Sequence, residues 1–592
     1  MKKQMMASLI CSALLLSSAL PAGTAQMLCT AAEESADAPE FVIEDGVLCS
    51  VKNCKGNIVI PEGVTHIGTS AFEKHTDMSA VTIPDTVTEI GDYAFAGCTG
   101  LTSIVIPDSV TAIGASAFQS CKNLESVTLP TGITELKDYT FMRCDSLREI
   151  NIPESVVSIG CYTLPSYSPW ADAMRETDPL IVVNDIVVDG TKCDGDIVIP
   201  DGTRSIVPCA FLNSTITSVA FPDTLERIGG AAFMSCTALR AIHLPDSMRV
   251  LGNSVFVGCT SLEEVTLPAF LEEIGSSVFI DTPWLEAQRE KDPLVVVGDC
   301  LIDGVACEGD VVIPNTVTKI QDQAFYQCKG ITSVDIPDSV TSIGYRAFGE
   351  CRALTTVTMA DSVETMGTQV FWNCSSLQNV TLSGSLKRLP SYTFDGCAAL
   401  TTLTIPEGIE VIGDYAFEVS GLTEITFPES LTTVENGAFF NCSQLGSVVF
   451  PKSVSSIGVD LFMYCTKLET VTIENPYCTI YDKDASIANG KDGEGTYVFS
   501  GSIYGYTDST AQAYADKYGR TFVSIGEMPE SLCGDVNWDG VFNVSDVVLL
   551  QKWLLAVPDT HLSNWKTADL CEDGKLDVFD LCMMKRLLLD SQ

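Results

Sequence analysis

Apolar positions return along most of the chain at intervals of 22 to 23 residues. In one representative unit, residues 101–123, the apolar side chains of Leu101, Ile104 and Ile106 face inward from a short strand, which the following proline ends because it has no backbone N–H. One unit cannot bury its apolar face alone, whereas a stack of units buries a continuous column. The pattern predicts a repeat solenoid of about 18 coils, β-rich and with a parallel strand ladder, over residues 41–473.

Each unit also carries residues that turn the coil and residues that face outward. We expect Gly114 to supply a backbone bend and Phe118 to fill the space inside the turn. The outward strand positions are mostly hydroxyl residues, which form either a broad binding face or simply good strand formers without bulk. They are Ser103, Ser126, Thr128, Thr266, Thr356, Thr358, Thr381, Thr402, Thr404, Thr426, Thr470 and Thr472.

Most of the cysteines share one repeat position, so we predict a packing column of buried free thiols rather than a disulfide framework. Two pairs, Cys49 with Cys54 and Cys300 with Cys307, lie at the ends of predicted hairpins and are the candidates for disulfides. The column consists of Cys98, Cys121, Cys144, Cys236, Cys259, Cys328, Cys351, Cys374, Cys397, Cys442 and Cys465.

Two segments interrupt the repeat and resemble each other at an offset of 114 residues, one around Trp170 and one around Trp284. Each is predicted to add a short helix and a hairpin to the stack. We interpret both tryptophans as buried local staples rather than sugar platforms, and Trp372, Tyr162 and Tyr167 in the same way.

The repeat, Leu-x-x-Ile-x-Ile-Pro-x-x-Val-x-x-Ile-Gly-x-x-Ala-Phe-x-x-Cys, resembles the BspA-like leucine-rich repeat. That resemblance implies a solenoid of the kind found on secreted and surface proteins. It says little about the ligand, because repeat scaffolds carry many unrelated sites.

An acidic twelve-residue loop occurs twice near the end of the chain and indicates calcium binding. Oxygen side chains at loop positions 1, 3, 5, 9 and 12, a backbone carbonyl at position 7 and a glycine at position 6 suit this hard cation. Amphipathic segments over residues 544–555 and 578–589 follow the loops and predict helices. The predicted ligands are Asp535, Asn537, Asp539, Val541, Asn543 and Asp546 in the first loop, and Asp569, Asp573, Lys575, Asp577 and Asp580 in the second.

Position 3 of the second loop is Cys571, and a soft thiol is a poor calcium ligand. We therefore predict two calcium sites, with the second one weaker. No helix is predicted before Asp535, so each unit is an F-hand, a loop followed by a helix.

This duplicated arrangement over residues 533–592 resembles a type I dockerin, a small α-helical module. The resemblance implies docking onto a cohesin domain of a scaffold protein, through loop positions 10 and 11 and residues late in the helices. Because the two faces differ, the resemblance leaves open whether docking occurs in one orientation or two. The residues at those positions are Val544, Ser545, Gln551, Lys552, Val578, Phe579, Lys585 and Arg586.

The amino terminus has two lysines, an apolar stretch and then small residues, which predicts a secretory signal peptide and an exported protein. With 77 acidic and 34 basic residues, the net charge of −43 excludes nucleic acid as a partner. No apolar run is long enough to span a bilayer. The predicted divisions are a signal peptide at 1–25, a lead at 26–40, the solenoid at 41–473, a cap at 474–526, a linker at 527–532 and the dockerin-like module at 533–592.

These observations predict a secreted, non-catalytic recognition or adhesion subunit, held at the cell surface by docking in a cellulosome-like complex. Its repeats would bind a protein, a cell surface or plant cell-wall polysaccharide. Two alternatives stay open: a glycan or peptide hydrolase with an unrecognised site, and a rigid spacer. The four histidines, His66, His75, His243 and His561, share no local motif with a nucleophile or metal ligand, which argues against catalysis and leaves any role in polysaccharide breakdown indirect.

Overall fold

The computed structural model describes residues 38–528, 534–537, 541–557, 560, 562, 565–571 and 574–590. Several sequence predictions fall outside these residues. They are the signal peptide, most of the lead and of the linker, His561, and the calcium ligands Asp539 and Asp573.

The chain winds into a solenoid whose longer strands form a parallel ladder, as the repeat predicts. Successive strands pair in register, so that Ser103 lies beside Ser126, and Thr356 beside Asn379. Between Thr381 and Ser447 the ladder is reduced to a single bridge, from Thr404 to Thr426. The strands are Gly56–Val59, Met78–Thr82, Ser103–Val105, Ser126–Thr128, Glu149–Asn151, Asp194–Val198, Thr215–Ala220, Ala241–His243, Glu264–Thr266, Glu308–Val312, Gly330–Ile336, Thr356–Met359, Asn379–Thr381, Ser447–Phe450, Thr470–Ile473, Ser502–Gly505 and Thr521–Ser524.

A second parallel ladder, built from two-residue strands, runs along another side of the solenoid. The sequence does not predict this ladder, because a two-residue strand is too short to show an alternating pattern. Its strands are His66–Ile67, Glu89–Ile90, Ala112–Ile113, Glu135–Leu136, Ser158–Ile159, Ser205–Ile206, Arg227–Ile228, Val250–Leu251, Glu273–Ile274, Lys319–Ile320, Ser342–Ile343, Thr365–Met366, Arg388–Leu389, Val411–Ile412, Thr433–Val434, Ser456–Ile457 and Thr479–Ile480.

Three hairpins join this second ladder and lengthen the stack to about 21 turns. In each hairpin the second strand pairs in parallel with the next coil, for example Val47 with His66. The hairpin strands are Glu40–Glu44 with Val47–Lys52, Ile181–Val183 with Ile186–Asp189, and Val295–Val297 with Cys300–Asp303, and a small separate pair joins Gly490–Lys491 to Tyr497–Val498.

The core is a column of stacked phenylalanine rings beside a column of thiols. Phe348, Phe371 and Phe394 are fully buried, and their ring centroids lie 5.5 Å apart from one ring to the next. The Cys374 thiol donates a hydrogen bond to the carbonyl oxygen of Phe348 in the preceding coil, at 3.0 Å, and most thiols of the column repeat this contact. The predicted column of buried free thiols is therefore confirmed.

The repeat glycine has a different role from the predicted one. Gly114 is absent from the residues with positive φ. A Cβ atom at this position would instead lie 2.4 Å from the backbone nitrogen of Asp92 in the preceding coil. The bend comes from other residues, such as Ser116 and Ser120, whose φ angles are 57° and 61°. Gly114 is required for close approach of neighbouring coils.

Both interruptions of the repeat fold as predicted, into a short helix followed by a hairpin. Helix α1 spans Pro169–Arg175 and helix α2 spans Pro283–Lys291. An ion pair holds each helix to its hairpin: Arg175 contacts Asp189 at 2.7 Å, and Arg289 contacts Asp303 at 2.5 Å. All four side chains are mostly buried, so these pairs fix the angle of each helix on the stack.

The candidate disulfide pairs are not bonded in the structure, in which every described cysteine is a free thiol. The Cys54 thiol faces Met78 at 3.6 Å, and Cys307 faces the carbonyl oxygen of Pro293 at 3.5 Å. In both cases the thiol turns toward the next coil or the preceding loop, away from its expected partner.

Three further helices lie toward the carboxyl end. Helix α3, Thr510–Tyr518, is capped by Ser509 and ends at Gly519, whose φ of 65° is left-handed. Helix α4 is Val544–Leu554 and helix α5 is Val578–Asp590, and a 3-10 turn at Trp565–Thr567 lies between them. No helix within the described residues has the length and apolar character that a membrane crossing demands.

Candidate functional site

The first acidic loop is closed by its last carboxylate. Asp546 is fully buried, and its Oδ1 accepts hydrogen bonds from the backbone N–H groups of Val536 at 3.0 Å and Asn537 at 3.3 Å. Its Oδ2 accepts from the N–H of Asn543 at 2.8 Å. Asn543 caps helix α4 by accepting from the N–H of Ser545 at 2.7 Å. The loop is thus held in its turn by the residue at position 12.

The second loop repeats the same geometry. Asp580 is fully buried, and it accepts hydrogen bonds from the N–H groups of Leu570 at 3.0 Å, Cys571 at 3.4 Å and Asp577 at 3.0 Å. Burial raises the pKa of Asp580. Hydrogen bonds from backbone N–H groups, of which that of Asp577 has the largest effect, outweigh the burial and leave the pKa below its usual value. The carboxylate is therefore ionised at neutral pH, as a cation ligand must be.

The side chains of the second loop converge on a space that fits a cation. The ligand atoms of Asp569, Cys571 and Asp580 all lie within 4.8 Å of one another. Oxygen ligands of calcium lie about 2.3–2.6 Å from the ion, so opposite ligands are separated by about twice that distance. The convergence matches calcium in size, while the thiol of Cys571, which lies 3.7 Å from Asp569, supplies a soft donor where a hard one is preferred.

The first loop offers a harder donor set at the same place. Position 3 is Asn537, and the position 1 carboxylate, Asp535, is 2 % exposed. Burying a carboxylate is costly unless a cation or hydrogen bonds compensate its charge. The backbone of Asp535 is tied to the second loop, because its carbonyl oxygen accepts from the hydroxyl of Thr567 at 2.8 Å. The two loops therefore form one unit.

A small apolar core joins helices α4 and α5. Across the helices, the Lys585 ammonium donates to Oε1 of Gln551 at 3.4 Å. The core consists of Val536, Val547, Leu550, Ala568, Leu581 and Met584.

The residues predicted to contact a cohesin all lie on the surface of this unit. Phe579 is 75 % exposed, Val578 is 65 % exposed and Val544 is 58 % exposed. Large apolar side chains with this exposure at the start of two equivalent helices form a surface suited to a partner. Ser545, Gln551, Lys552, Lys585 and Arg586 are also exposed.

The strand face of the solenoid carries the predicted hydroxyl rows. Ser103 and Thr358 are exposed, and Thr356 and Thr470 are half-buried. These rows lack the Trp, Tyr and Arg side chains that dominate binding energy at protein interfaces. The hydroxyl rows therefore offer no large anchoring side chain to a partner. Such side chains lie on a different part of the coil surface.

An aromatic strip, which the sequence analysis missed, runs along the turns of the last coils. The rings of Tyr392 and Tyr415 stack with centroids 5.2 Å apart, and Tyr415 meets Phe440 at 5.8 Å. Phe440 meets Tyr464 at 5.3 Å, and Tyr464 is 49 % exposed. We call Trp372, Tyr392, Tyr415, Phe440 and Tyr464 the aromatic strip. Its signal in the sequence is a bulky ring on either side of the repeat phenylalanine in successive units.

Charged groups border the strip at one end. The Arg346 guanidinium lies over the Trp372 ring at 4.5 Å, and the indole N–H of Trp372 donates to Oδ2 of Asp395 at 3.0 Å. Burial raises the pKa of Asp395, and burial together with Asp395 raises the pKa of Glu418. These carboxylates have lost part of their hydration within the protein. A basic group of a partner that formed an ion pair with them would compensate that loss.

The staple interpretation holds for the two tryptophans of the inserted segments. Trp284 is 8 % exposed and packs on Phe279 with ring centroids 4.4 Å apart, while Trp170 is half-buried against the core. It is wrong for Tyr167, which is 76 % exposed, and for Tyr162, which is 39 % exposed. Tyr167 instead receives the Lys192 ammonium over its ring at 5.3 Å.

Family comparisons match both parts of the chain. The BspA type leucine rich repeat region matches in several copies over residues 43–167, 191–298, 308–420 and 387–485. The type I dockerin domain matches residues 533–589. Both are non-catalytic kinds of domain, and type I dockerins bind calcium and imply a cohesin partner. None of the curated proteins compared matches the chain.

Similar solved structures are bacterial leucine-rich repeat proteins. A leucine-rich repeat protein from Bacteroides ovatus is 25 % identical, with 74 % of this chain and 92 % of that chain covered and a TM-score of 0.31. A leucine rich cell surface protein from Faecalibacterium prausnitzii is 24 % identical, with 73 % and 92 % covered and a TM-score of 0.26. The pneumococcal vaccine antigen PcpA is 15 % identical, with 83 % and 96 % covered and a TM-score of 0.26.

Proposed function

The chain belongs to the BspA-type leucine-rich repeat family and ends in a type I dockerin domain, and from this we propose that it is a secreted, non-catalytic recognition subunit. The dockerin attaches it to a cohesin of a scaffold protein in a cellulosome-type complex, and the repeats bind a second protein. The observation that carries the proposal is the pair of acidic loops with buried terminal carboxylates at the end of an extended repeat stack.

Docking would use the exposed start of helices α4 and α5. Val544 and Ser545 follow the first loop, and Val578 and Phe579 follow the second, so calcium in each loop would fix the position of one pair. The two pairs differ, since Phe579 adds a large ring that Ser545 lacks. We therefore expect one docking orientation to be preferred, which crosslinking to a cohesin with mass spectrometry distinguishes.

Matched substitutions at position 12 separate the two loops. Asp546→Ala and Asp580→Ala each remove a buried carboxylate that accepts three backbone hydrogen bonds, and each unpaired N–H costs about 1–3 kcal/mol. We expect Asp546→Ala to abolish cohesin binding, and Asp580→Ala to weaken it less, because Cys571 already limits the second calcium site. Calcium titration by calorimetry on the full chain checks this.

Asp535→Ala and Asp569→Ala at position 1 supply a second matched pair. Again we expect the first-loop variant to lose more cohesin binding than the second-loop variant. Equal loss of calcium affinity and of cohesin binding in both loops would contradict the weaker second site.

For the repeats, the aromatic strip favours a protein partner over a polysaccharide. Tyr392 and Tyr415 stack with an angle of 9° between their planes, so each ring covers one face of the other. A sugar ring binds to an open aromatic face, whereas a row of stacked rings that includes Trp372 under Arg346 has the composition of a protein interface. The bordering carboxylates favour a basic segment of that partner.

A matched control exists for testing the strip, because the sequence Gly-Asp-Tyr-Ala-Phe occurs twice, at residues 91–95 and 413–417. Tyr93 is 45 % exposed and belongs to no stack of described rings, whereas Tyr415 lies inside the strip. We expect Tyr415→Ala to lose about 2 kcal/mol of binding to a protein ligand of the repeats, as hot-spot tyrosines do, and Tyr93→Ala to lose none.

The measurement is surface plasmon resonance against cell-surface proteins extracted from bacteria and plant tissue, followed by identification of the retained protein. Binding by the wild-type chain that is equally reduced in both tyrosine variants, or binding only to glycans on an array, would refute this assignment.

A further inference from the structure

Two thiols that belong to different coils meet at the first interruption of the repeat. Cys161 follows the strand Ser158–Ile159, and Cys209 follows the strand Ser205–Ile206, 48 residues later in the chain. Their sulfur atoms are 3.7 Å apart. A disulfide brings two sulfurs to about 2.05 Å, so bonding requires these two sulfurs to approach each other by about 1.7 Å.

The hairpin between the two coils explains why they meet. Its strand Ile186–Asp189 takes one position in the second ladder. The chain then turns tightly at Gly190, whose N–H donates to the carbonyl oxygen of Ala210 at 2.7 Å. A Cβ atom at Gly190 would lie 2.1 Å from the ring of Phe211, so the ring fills the space directly beside this tight turn. The turns on either side therefore come into contact through their cysteines.

These two thiols differ from the cysteine column in access. The column thiols, such as Cys236 and Cys259, are fully buried, whereas Cys161 and Cys209 are half-buried. A cavity of about 480 Å³ opens beside Cys209, lined by Tyr162, Tyr167 and Lys192 among others. A small disulfide molecule can reach the pair through this cavity.

The local chemistry makes one of the two thiols the nucleophile. A hydrogen bond from the Cys161 thiol, aided by the Tyr162 hydroxyl and opposed by burial, lowers the pKa of Cys209 to about 6. The same hydrogen bond, with burial, raises the pKa of Cys161. Cys209 lines the cavity and its thiolate is favoured by the hydrogen bond from Cys161, so Cys209 is the attacking cysteine and Cys161 the resolving one.

We propose that Cys161 and Cys209 are a redox site that forms a reversible disulfide by exchange with a low-molecular-weight disulfide, RSSR. The Cys209 thiolate attacks one sulfur of RSSR, the S–S bond breaks, and RS⁻ leaves. Cys161 then gives up its proton and attacks the Cys209 sulfur of the mixed disulfide, which releases the second RS⁻. The two cysteines are oxidised, RSSR is reduced to two RSH, and the Cys161 proton and one proton from solvent end on the released thiols.

The disulfide would link the coils on both sides of helix α1 and its hairpin. It closes a loop of chain and so restricts the unfolded ensemble, which stabilises the first interruption against opening. The second interruption has no such link, because Ser276 and Gln323 stand at the corresponding positions. The proposed site therefore makes one of two otherwise similar interruptions sensitive to redox conditions.

The test uses the full chain, reduced and then incubated with oxidised glutathione at pH 7.4. Remaining thiols are alkylated, and peptides are mapped without reduction by mass spectrometry. We expect a linked Cys161–Cys209 peptide that forms about tenfold faster than glutathione adds to Cys49 or Cys300, because Cys209 has a second thiol 3.7 Å away that favours its thiolate and resolves the mixed disulfide. Dithiothreitol should reverse the link.

Two single variants check the order of attack. Cys161→Ser removes the resolving thiol and should trap glutathione on Cys209, whereas Cys209→Ser should leave Cys161 largely unmodified. Cys300→Ser is the control and should leave the link unchanged. The proposal fails if wild-type Cys161 and Cys209 are recovered separately alkylated, or if the link forms no faster than modification of Cys300. The wild-type peptide map decides this even if a variant does not fold.

Discussion

Chelating calcium is expected to unfold the carboxy-terminal module while the solenoid remains folded. The module holds three nearly fully buried carboxylates, Asp535, Asp546 and Asp580, over a core of a few apolar side chains. A core of this size stabilises a fold only marginally, and the clustering of like charges such as Asp569 and Asp580 opposes it until a cation binds between them. Calcium binding and folding of the module are therefore coupled.

Limited proteolysis of the full chain with and without EDTA measures this effect. We expect rapid cleavage within residues 533–592 in EDTA, protection on return of calcium, and little protection from magnesium, which demands a smaller octahedral site. The solenoid should resist cleavage in all conditions and is the internal control. Equal protease resistance of residues 533–592 with and without calcium would contradict the coupling.

Removing one ring from the phenylalanine column is expected to produce a large loss of stability in the solenoid. Phe371 is fully buried between Phe348 and Phe394, and its carbonyl oxygen accepts the Cys397 thiol at 3.2 Å. Phe371→Ala leaves a cavity between coils that cannot close, since both neighbours are fixed by their own stacks. The expected cost is about 3–5 kcal/mol, read from urea unfolding followed by circular dichroism.

Phe270→Ala supplies the control, because Phe270 is 64 % exposed and lies outside the column. We expect that variant to change the free energy of unfolding by less than about 0.5 kcal/mol. If Phe371→Ala unfolds at the same urea concentration as wild type, the column does not stabilise the stack as the structure indicates.

The repeat made most of the fold predictable from the sequence. Inward positions such as Ile104 and Ile106, and the thiol column at Cys121, follow from one unit and recur in most coils. The loop spacing also identified Asp546 and Asp580, which the structure shows to be buried and bonded to the loop backbone, while their role as calcium ligands stays a prediction. A periodic sequence determines periodic contacts, since each coil meets only its neighbours.

What the sequence could not provide is contact between non-equivalent positions. In the aromatic strip, Tyr415 and Phe440 occupy different positions in their repeat units, yet their ring centroids lie 5.8 Å apart. Cys161 and Cys209 meet across the intervening hairpin, although 48 residues separate them in the chain. The second ladder and the tight approach at Gly114 depend on backbone geometry between coils, which no single unit displays.

The central claim is that calcium-dependent docking by the dockerin attaches a recognition module to a scaffold. The most direct test is binding of the full chain, and of a chain ending before Cys533, to a panel of cohesin domains in calcium and in EDTA, by surface plasmon resonance. The account predicts binding of at least one cohesin by the full chain in calcium alone. Binding that persists in EDTA, or in the shortened chain, would contradict it.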